Sequence, residues 1–301
     1  MPRLLAIDIG GTLLKSAIFH TEAGLPVRIS EVDRQPTAIG SPDGAELLNQ
    51  LVELVSEARR LDTVDAIGVV TPGLLDEEAG VINYATNLRV RDFALRTRLE
   101  SATGLPVGFG HDGRASALAE HVLGAGQGFN DFVLMPIGTG ISVGLVIDGM
   151  VRNAGGHIGE IGHANVGHSL PCACGLIGCL EVVASTAGIS NRYFEKSGER
   201  VDAAAVIERA AAGEEVAGEV WRQATEAIAL ACDWLLNTLA PEAIIFAGGL
   251  SKAGDALVQP VAQRLGMRVS FQRHPRVLTA QLGDDAGALG AALLAMGRLD
   301  S

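Results

Sequence analysis

Apolar runs and polar breaks divide the chain into alternating strand-like and helix-like segments. Leu4–Gly10 (LLAIDIG) and Leu13–His20 (LLKSAIFH) flank Gly11-Thr12, which predicts two strands joined by a tight glycine turn. Val27–Gln35 (VRISEVDRQ) reads as a third strand. Between Gly44 and Leu61, residues Leu47, Leu48, Leu51, Leu54 and Val55 recur at helical spacing. Ala66–Gly73 (AIGVVTPG) reads as a buried strand ending in a Pro-Gly turn. Val107–Asp112 (VGFGHD) reads as a short strand and Ala115–Gly126 as the helix after it. The cycle then starts again. Asp131–Gly138 and Ile141–Gly149 flank Thr139-Gly140 as the opening strands flank their own glycines. An Ala-rich helical region at 202–239, the strand Glu242–Gly249 and two further helices follow. The last helix begins with Asp284 and Asp285, acids that suit a helix N-terminus. The order is that of a mixed α/β protein, and the repeated glycine turn suggests an internal duplication with a cleft between two related domains.

Composition narrows the class. A chain of 301 residues has room for two domains, and 48% hydrophobic residues can fill their cores. A net charge of -12 argues against a nucleic-acid surface, which needs clustered Lys and Arg. It does not exclude ATP, because magnesium and backbone amides supply local positive charge. The N-terminal apolar run is broken by Asp8, unlike a secretory signal, and no stretch reaches the length of a membrane span. Three of the four cysteines crowd into positions 172–179, which does not resemble a disulfide framework. A reduced, cytoplasmic setting follows as the expectation.

Candidate chemistry lies in the glycine turns. Asp8-Ile9-Gly10-Gly11-Thr12 can bring backbone amides close to an anion without Cβ interference, with the Asp8 carboxylate placed to hold hydrated magnesium and Thr12 to add a hydroxyl. Alone it could equally be a flexible hairpin turn. Pro136-Ile137-Gly138-Thr139-Gly140 repeats the pattern, and Gly248-Gly249 closes another apolar strand. Two other nucleotide-binding motifs fail. A Walker A loop needs a Gly-Lys pair, which the chain lacks, and a Rossmann fingerprint needs GxGxxG opening a helix. Cys172, Cys174 and Cys179 supply three thiolates, and His157, His163 and His168 compete as an imidazole that would complete a tetrahedral zinc site. Cys232, inside an apolar helix, reads as a core residue. Asp112, where a strand ends and a helix begins, could be only an N-cap.

DIGGT, PIGTGISVG and FAGGL resemble the phosphate-1, phosphate-2 and adenosine motifs of the sugar kinase/heat-shock/actin superfamily, and the segments between resemble its ROK branch of sugar kinases and repressors. The resemblance covers essentially the whole chain. It implies a two-domain actin-like ATPase (ribonuclease H-like) α/β fold with an interdomain cleft. The expected domains are 1–112 and 113–301, the latter carrying a zinc knuckle at 163–179, with the last helix (285–297) packing back on the first domain. By resemblance, Asp8, Gly10, Gly11, Thr12, Gly138, Thr139, Gly140, Gly248 and Gly249 bind nucleotide. Asp112 takes the proton from the attacking sugar hydroxyl. Glu160-Ile161-Gly162-His163 resembles the family's ExGH motif and CACGLIGCLE its CxCGxxGCxE motif, which selects His163 as the fourth zinc ligand. Such a closed Cys3His set makes the zinc structural. Glu160, His163, Glu181, His111, Asp112, Gly73 and Asn87 would face the sugar.

Two residues depart from the family's pattern: His111 stands where Asn is common, and Arg114 where a second Asn or Ala is common. The implied activity is ATP-dependent phosphorylation of a hexose or N-acetylhexosamine, at the 6-hydroxyl, by a homodimer or homotetramer that uses Mg2+ and structural Zn2+ and binds neither nucleic acid nor membrane. The competing expectation is a catalytically weak ROK sugar-binding or regulatory protein. The family's regulators carry an N-terminal winged-helix module, for which a phosphate turn starting at residue 8 leaves no room.

Overall fold

In the computed structural model, residues 1–299 are described. Along the chain run β1 (Arg3–Ile9), β2 (Leu13–Glu22), β3 (Leu25–Arg28), β4 (Asp33–Pro36), α1 (Ala45–Leu61), β5 (Ala66–Thr71), β6 (Leu74–Asp76), β7 (Val81–Ala85), β8 (Val90–Phe93), α2 (Leu95–Thr103), β9 (Val107–His111) and α3 (Asp112–Leu123). Then come β10 (Phe132–Pro136), β11 (Gly144–Ile147), β12 (Met150–Arg152), α4 (Leu180–Ala184), α5 (Thr186–Ser197), α6 (Ala203–Ala211), α7 (Glu215–Leu239), β13 (Ala243–Ala247), α8 (Asp255–Gly266), β14 (Arg276–Thr279) and α9 (Ala286–Gly297). Among the described residues no helix is long and apolar enough to cross a membrane.

The chain forms two compact units. One comprises Met1–Ala119, Asn153–Ile158 and the chain from Asp284 on; the other comprises Glu120–Arg152 and Gly159–Gly283. The first unit's main sheet has the order β3-β2-β1-β5-β9, with β4 also on β2, and the second unit's sheet has the order β12-β11-β10-β13-β14. In each, the central strand pairs antiparallel with the strand that follows it and parallel with the later one on its other side. The repeated glycine turns are thus the first connections of two sheets built on one plan.

In the first unit, strand alternation sorts β1 between two cores: Leu5, Ile7 and Ile9 pack with α1, while Leu4 and Ala6 pack with α9. The α1 stripe Leu47, Leu51, Leu54, Val55 and Ala58 is buried, matching the spacing of its apolar residues. On the opposite face, Gly68 and Gly108 give the sheet a bare surface on which α9 lies. A Cβ at Gly68 would come within 1.8 Å of the Ala291 carbonyl oxygen, and one at Gly108 within 2.3 Å of the Leu294 carbonyl oxygen. Helix α9 answers with small residues, and Ala288, Ala291, Ala292 and Ala295 are all buried.

Three readings of the sequence change in detail. The strand expected at Val27–Gln35 is two strands on β2, because between them the Ser30 hydroxyl takes the Ile18 N–H and breaks the ladder. The helical region 202–239 is α6 and α7, separated at Gly213, whose φ of 90 is the left-handed conformation that ends a helix. The three-stranded sheet β6-β7-β8, helix α2 and strand β14 had no clear periodicity, being short and interspersed with charged residues.

Candidate active site

The parallel strands β1, β5 and β9 bring the first unit's candidate residues to one end of its sheet. Register aligns Asp8 with Val70 and Thr71 with His111, so the Gly10–Thr12 turn, Gly73 and the His111-Asp112 pair all follow the carboxyl ends of neighbouring strands. That end is where open α/β sheets bind ligands. The first glycine turn is closed by the Gly10 N–H donating to the Leu13 carbonyl at 2.9 Å, and pinned by the Thr37 hydroxyl donating to the Gly10 carbonyl at 2.7 Å. Asn87 lies against the turn: a Cβ on Gly11 would sit 2.8 Å from its Cβ. Gly73, with φ of 119, sits where a side chain would strike the Tyr84 carbonyl oxygen at 2.6 Å.

Asp8 is held in a setting that disfavours its charge. Burial and then the nearby Asp112 carboxylate raise its pKa to about 6, with Lys15 opposing. Asp112 itself is half-exposed, its side chain 41% accessible. Its Oδ1 accepts the Gly113 N–H at 2.6 Å, and His111 Nδ1 accepts the same N–H at 3.1 Å. The same Nδ1 lies 3.1 Å from Asp112 Oδ1, so the His111 ring is held against the Asp112 carboxylate on one side and the start of α3 on the other. Asp112 therefore does serve the start of α3, yet its carboxylate remains open to solvent.

In the second unit, parallel pairing of Pro136 with Ala247 sets the Gly138–Gly140 turn beside Gly248-Gly249. The two are joined directly, since the Leu250 N–H donates to the Ile137 carbonyl at 3.0 Å. The Gly138 N–H donates to the Gly140 carbonyl at 2.9 Å, and the Thr186 N–H to the Gly138 carbonyl at 2.8 Å. Beside Gly249 lies a cavity of about 420 Å³, lined by Ala203, Ile207 and Leu250 together with Asp202, Glu208 and Lys252. An apolar slot with a few polar groups suits a planar base. Glu181, in the first turn of α4, reaches the phosphate-type turn: its Oε2 accepts the Ile141 N–H at 3.1 Å.

His163, Cys172, Cys174 and Cys179 converge, with all four ligand atoms within 4.8 Å of one another. His163 Nδ1 is 3.8 Å from Cys172 Sγ, and Cys174 Sγ is 3.7 Å from Cys179 Sγ. Tetrahedral zinc at its usual sulfur distance of about 2.3 Å requires separations of about 3.8 Å, so this donor set fits the ion. Among the three candidate histidines, His163 is the one in the cluster. Burial pushes the Cys179 thiol up to about 12, a cost that a bound cation would offset by taking the thiolate. His163 Nε2 lies 4.0 Å from Glu160 Oε2, so the ring's second nitrogen faces a carboxylate, as in many metal-bound histidines. Cys232 is fully buried in α7 and its thiol is likewise pushed up to about 12.

Two residues of the neighbourhood carried no sequence signal. Glu77, in the turn after β6, accepts the His111 N–H at 2.7 Å and the buried Arg114 Nε at 3.0 Å. Asn153 donates to the same carboxylate at 3.1 Å. An acid in a turn without a motif gives no hint of partners 34 and 76 positions away.

The ROK family model matches residues 4–298. A glucokinase of Halalkalibacterium halodurans is 33% identical, covering 96% of this chain and 94% of its own. The crystal structure of a ROK hexokinase from Thermus thermophilus superposes with a TM-score of 0.84 at 31% identity, covering 99% of both chains. That of a ROK family glucokinase from Streptomyces griseus, in complex with glucose and AMPPNP, gives 0.80 at 27% identity, covering 98% of this chain and 99% of its own. The chain belongs to the ROK family, with the two-domain actin-like ATPase fold, and is an ATP-dependent sugar kinase.

Proposed function

We propose that the chain transfers the γ-phosphoryl group of ATP to the 6-hydroxyl of a hexose or N-acetylhexosamine, with Asp112 as general base. The reading rests above all on Asp112: a half-exposed carboxylate at the carboxyl end of β9, close enough to Asp8 to raise that residue's proton affinity. As the sugar oxygen bonds to phosphorus, its proton passes to Asp112 and the bond from phosphorus to the bridging oxygen of ADP breaks. The Gly10–Thr12 and Gly138–Gly140 turns hold phosphate oxygens, Gly248-Gly249 and the adjoining slot take adenosine, and Asp8 holds hydrated Mg2+, which neutralises phosphate charge when bound.

Sugar hydroxyls fall to Glu160, His163, Glu181, His111, Gly73 and Asn87. Oε2 of Glu181 already serves the Ile141 N–H, so Oε1 takes the hydroxyl. The imidazole of His111, in the place of the family's usual amide, presents its hydrogen-bonding groups with a different reach and bulk, and its Nδ1 already lies 3.1 Å from Asp112 Oδ1. This restricts the sugars that fit rather than the chemistry. The Cys3His cluster takes a structural Zn2+, leaving no open position for water, and the enzyme works in the cytoplasm.

ADP release on mixing the protein with magnesium-ATP and a panel of hexoses and N-acetylhexosamines tests this. Turnover on at least one is expected, and silence on all of them would overturn it. Asp112→Asn is expected to lower kcat by about a thousandfold with little change in ATP KM.

A further inference from the structure

Strand β9 is the edge of its sheet, paired on one side with β5. At its last residue, an edge N–H would normally turn to water. The His111 N–H donates instead to Glu77 Oε1 at 2.7 Å. The same oxygen accepts Arg114 Nε at 3.0 Å, and Oε2 accepts Asn153 Nδ2 at 3.1 Å. Asp112 lies between the two residues that Glu77 holds, one before it at the end of β9 and one two positions after it in the first turn of α3. The Glu77 side chain is 19% exposed and that of Arg114 4%, so both charges sit largely out of water, where a charged acceptor makes a short, directional bond. Arg114 Nη2 is buried with no hydrogen-bond partner among the described residues, which leaves Glu77 as the guanidinium's close counter-charge. Asn153 divides its amide: Nδ2 goes to Glu77, and Oδ1 accepts the Gly155 N–H at 3.2 Å, closing the turn it begins.

We propose that Glu77 is a positioning residue for phosphoryl transfer: its carboxylate clamps both sides of Asp112, with Arg114 as counter-ion and Asn153 as a tie to a third segment. The inference rests on the assignment of Asp112 as base. Phosphoryl transfer depends on placement of base, hydroxyl and phosphate, so loosening the backbone of residue 112 lowers kcat while leaving nucleotide binding alone. Arg114, a departure from the family's pattern, is then one half of a pair whose other half is Glu77.

Two variants test it, because Glu77→Ala alone strands a buried guanidinium and risks unfolding the protein. Glu77→Gln keeps an acceptor for the His111 N–H but removes the charge; the double Glu77→Ala/Arg114→Ala removes both charges and the clamp. The double variant is expected to fold and to lose roughly a hundredfold in kcat, with ATP KM changed by less than about threefold, and Glu77→Gln to lie between it and wild type. Placed in an Asp112→Asn background, both changes should leave the residual rate within about twofold, since a clamp acting through an absent base has nothing left to lose. A folded double variant with wild-type kcat would overturn the inference, as would the same fold-loss with and without Asp112. Should Asp112→Asn itself turn over normally, the base assignment falls, and the wild-type-background arm still decides whether Glu77 sets kcat.

Discussion

Asp8 shows how a binding residue can weaken the fold that carries it. Its folded-state pKa is raised from 3.8 to about 6 by burial and by Asp112. The folded chain therefore holds this proton more tightly than the unfolded chain does. The carboxyl costs nothing while both states are protonated, and destabilises the fold progressively as pH rises from about 4 through about 6, by about 3 kcal/mol once ionised. Asp8→Asn should thus melt several degrees above wild type near pH 8 in the absence of nucleotide, and at the same temperature near pH 4. The same variant should lose activity at every pH. Differential scanning calorimetry at the two pH values, beside an ADP-release assay, checks both halves. Residues of this kind were legible because a motif carries them: Asp8, Asp112 and the Cys3His set stand out by type and spacing. Glu77 did not, because its importance comes from three contacts and none of them is local in sequence.

At the level of elements, two packings invite a direct test. Gly68 and Gly108 let α9 rest on the backbone of β5 and β9, and a Cβ at Gly68 would lie 1.8 Å from the Ala291 carbonyl oxygen. The obstacle is helix backbone, which cannot rotate aside. Gly68→Ala should therefore shift α9 and cost at least about 1–3 kcal/mol, read as a lower denaturant midpoint at unchanged slope. The metal loop makes the second case. Cys179 immediately precedes α4, and Glu181 two residues later braces the Ile141 N–H. About one zinc per chain is expected by elemental analysis. Stripping it with a strong chelator should lower the melting temperature by several degrees and raise the sugar KM more than the ATP KM, because α4 loses its anchor. The sequence revealed the glycine turns that begin each sheet and the apolar stripe of α1, where periodicity is strong. It was silent on β6-β7-β8 and β14, four or five residues each at most, whose strand identity is set by neighbours rather than by their own pattern.

The path of the chain gives the two units unequal independence. The second unit's five strands and its metal loop all lie between Phe132 and Thr279, interrupted only by Asn153–Ile158. The first unit is completed only when the chain returns at Asp284. What returns is α9, which supplies Ala288, Ala291, Ala292 and Ala295 to the core that covers Leu4, Ala6, Phe19 and Val70. Without α9, that face of the sheet is bare to water. Exposing even a few such side chains costs about 1.5–3 kcal/mol each, which consumes the 5–15 kcal/mol that typically holds a domain together. Residues 1–119 expressed alone should therefore show no cooperative thermal transition. The same residues joined through a flexible linker to 284–301 should regain one, while 120–283 should melt cooperatively on its own and bind zinc. Circular dichroism melts of the three fragments decide the matter: a sharp transition in residues 1–119 alone would mean that α9 decorates a fold already complete without it.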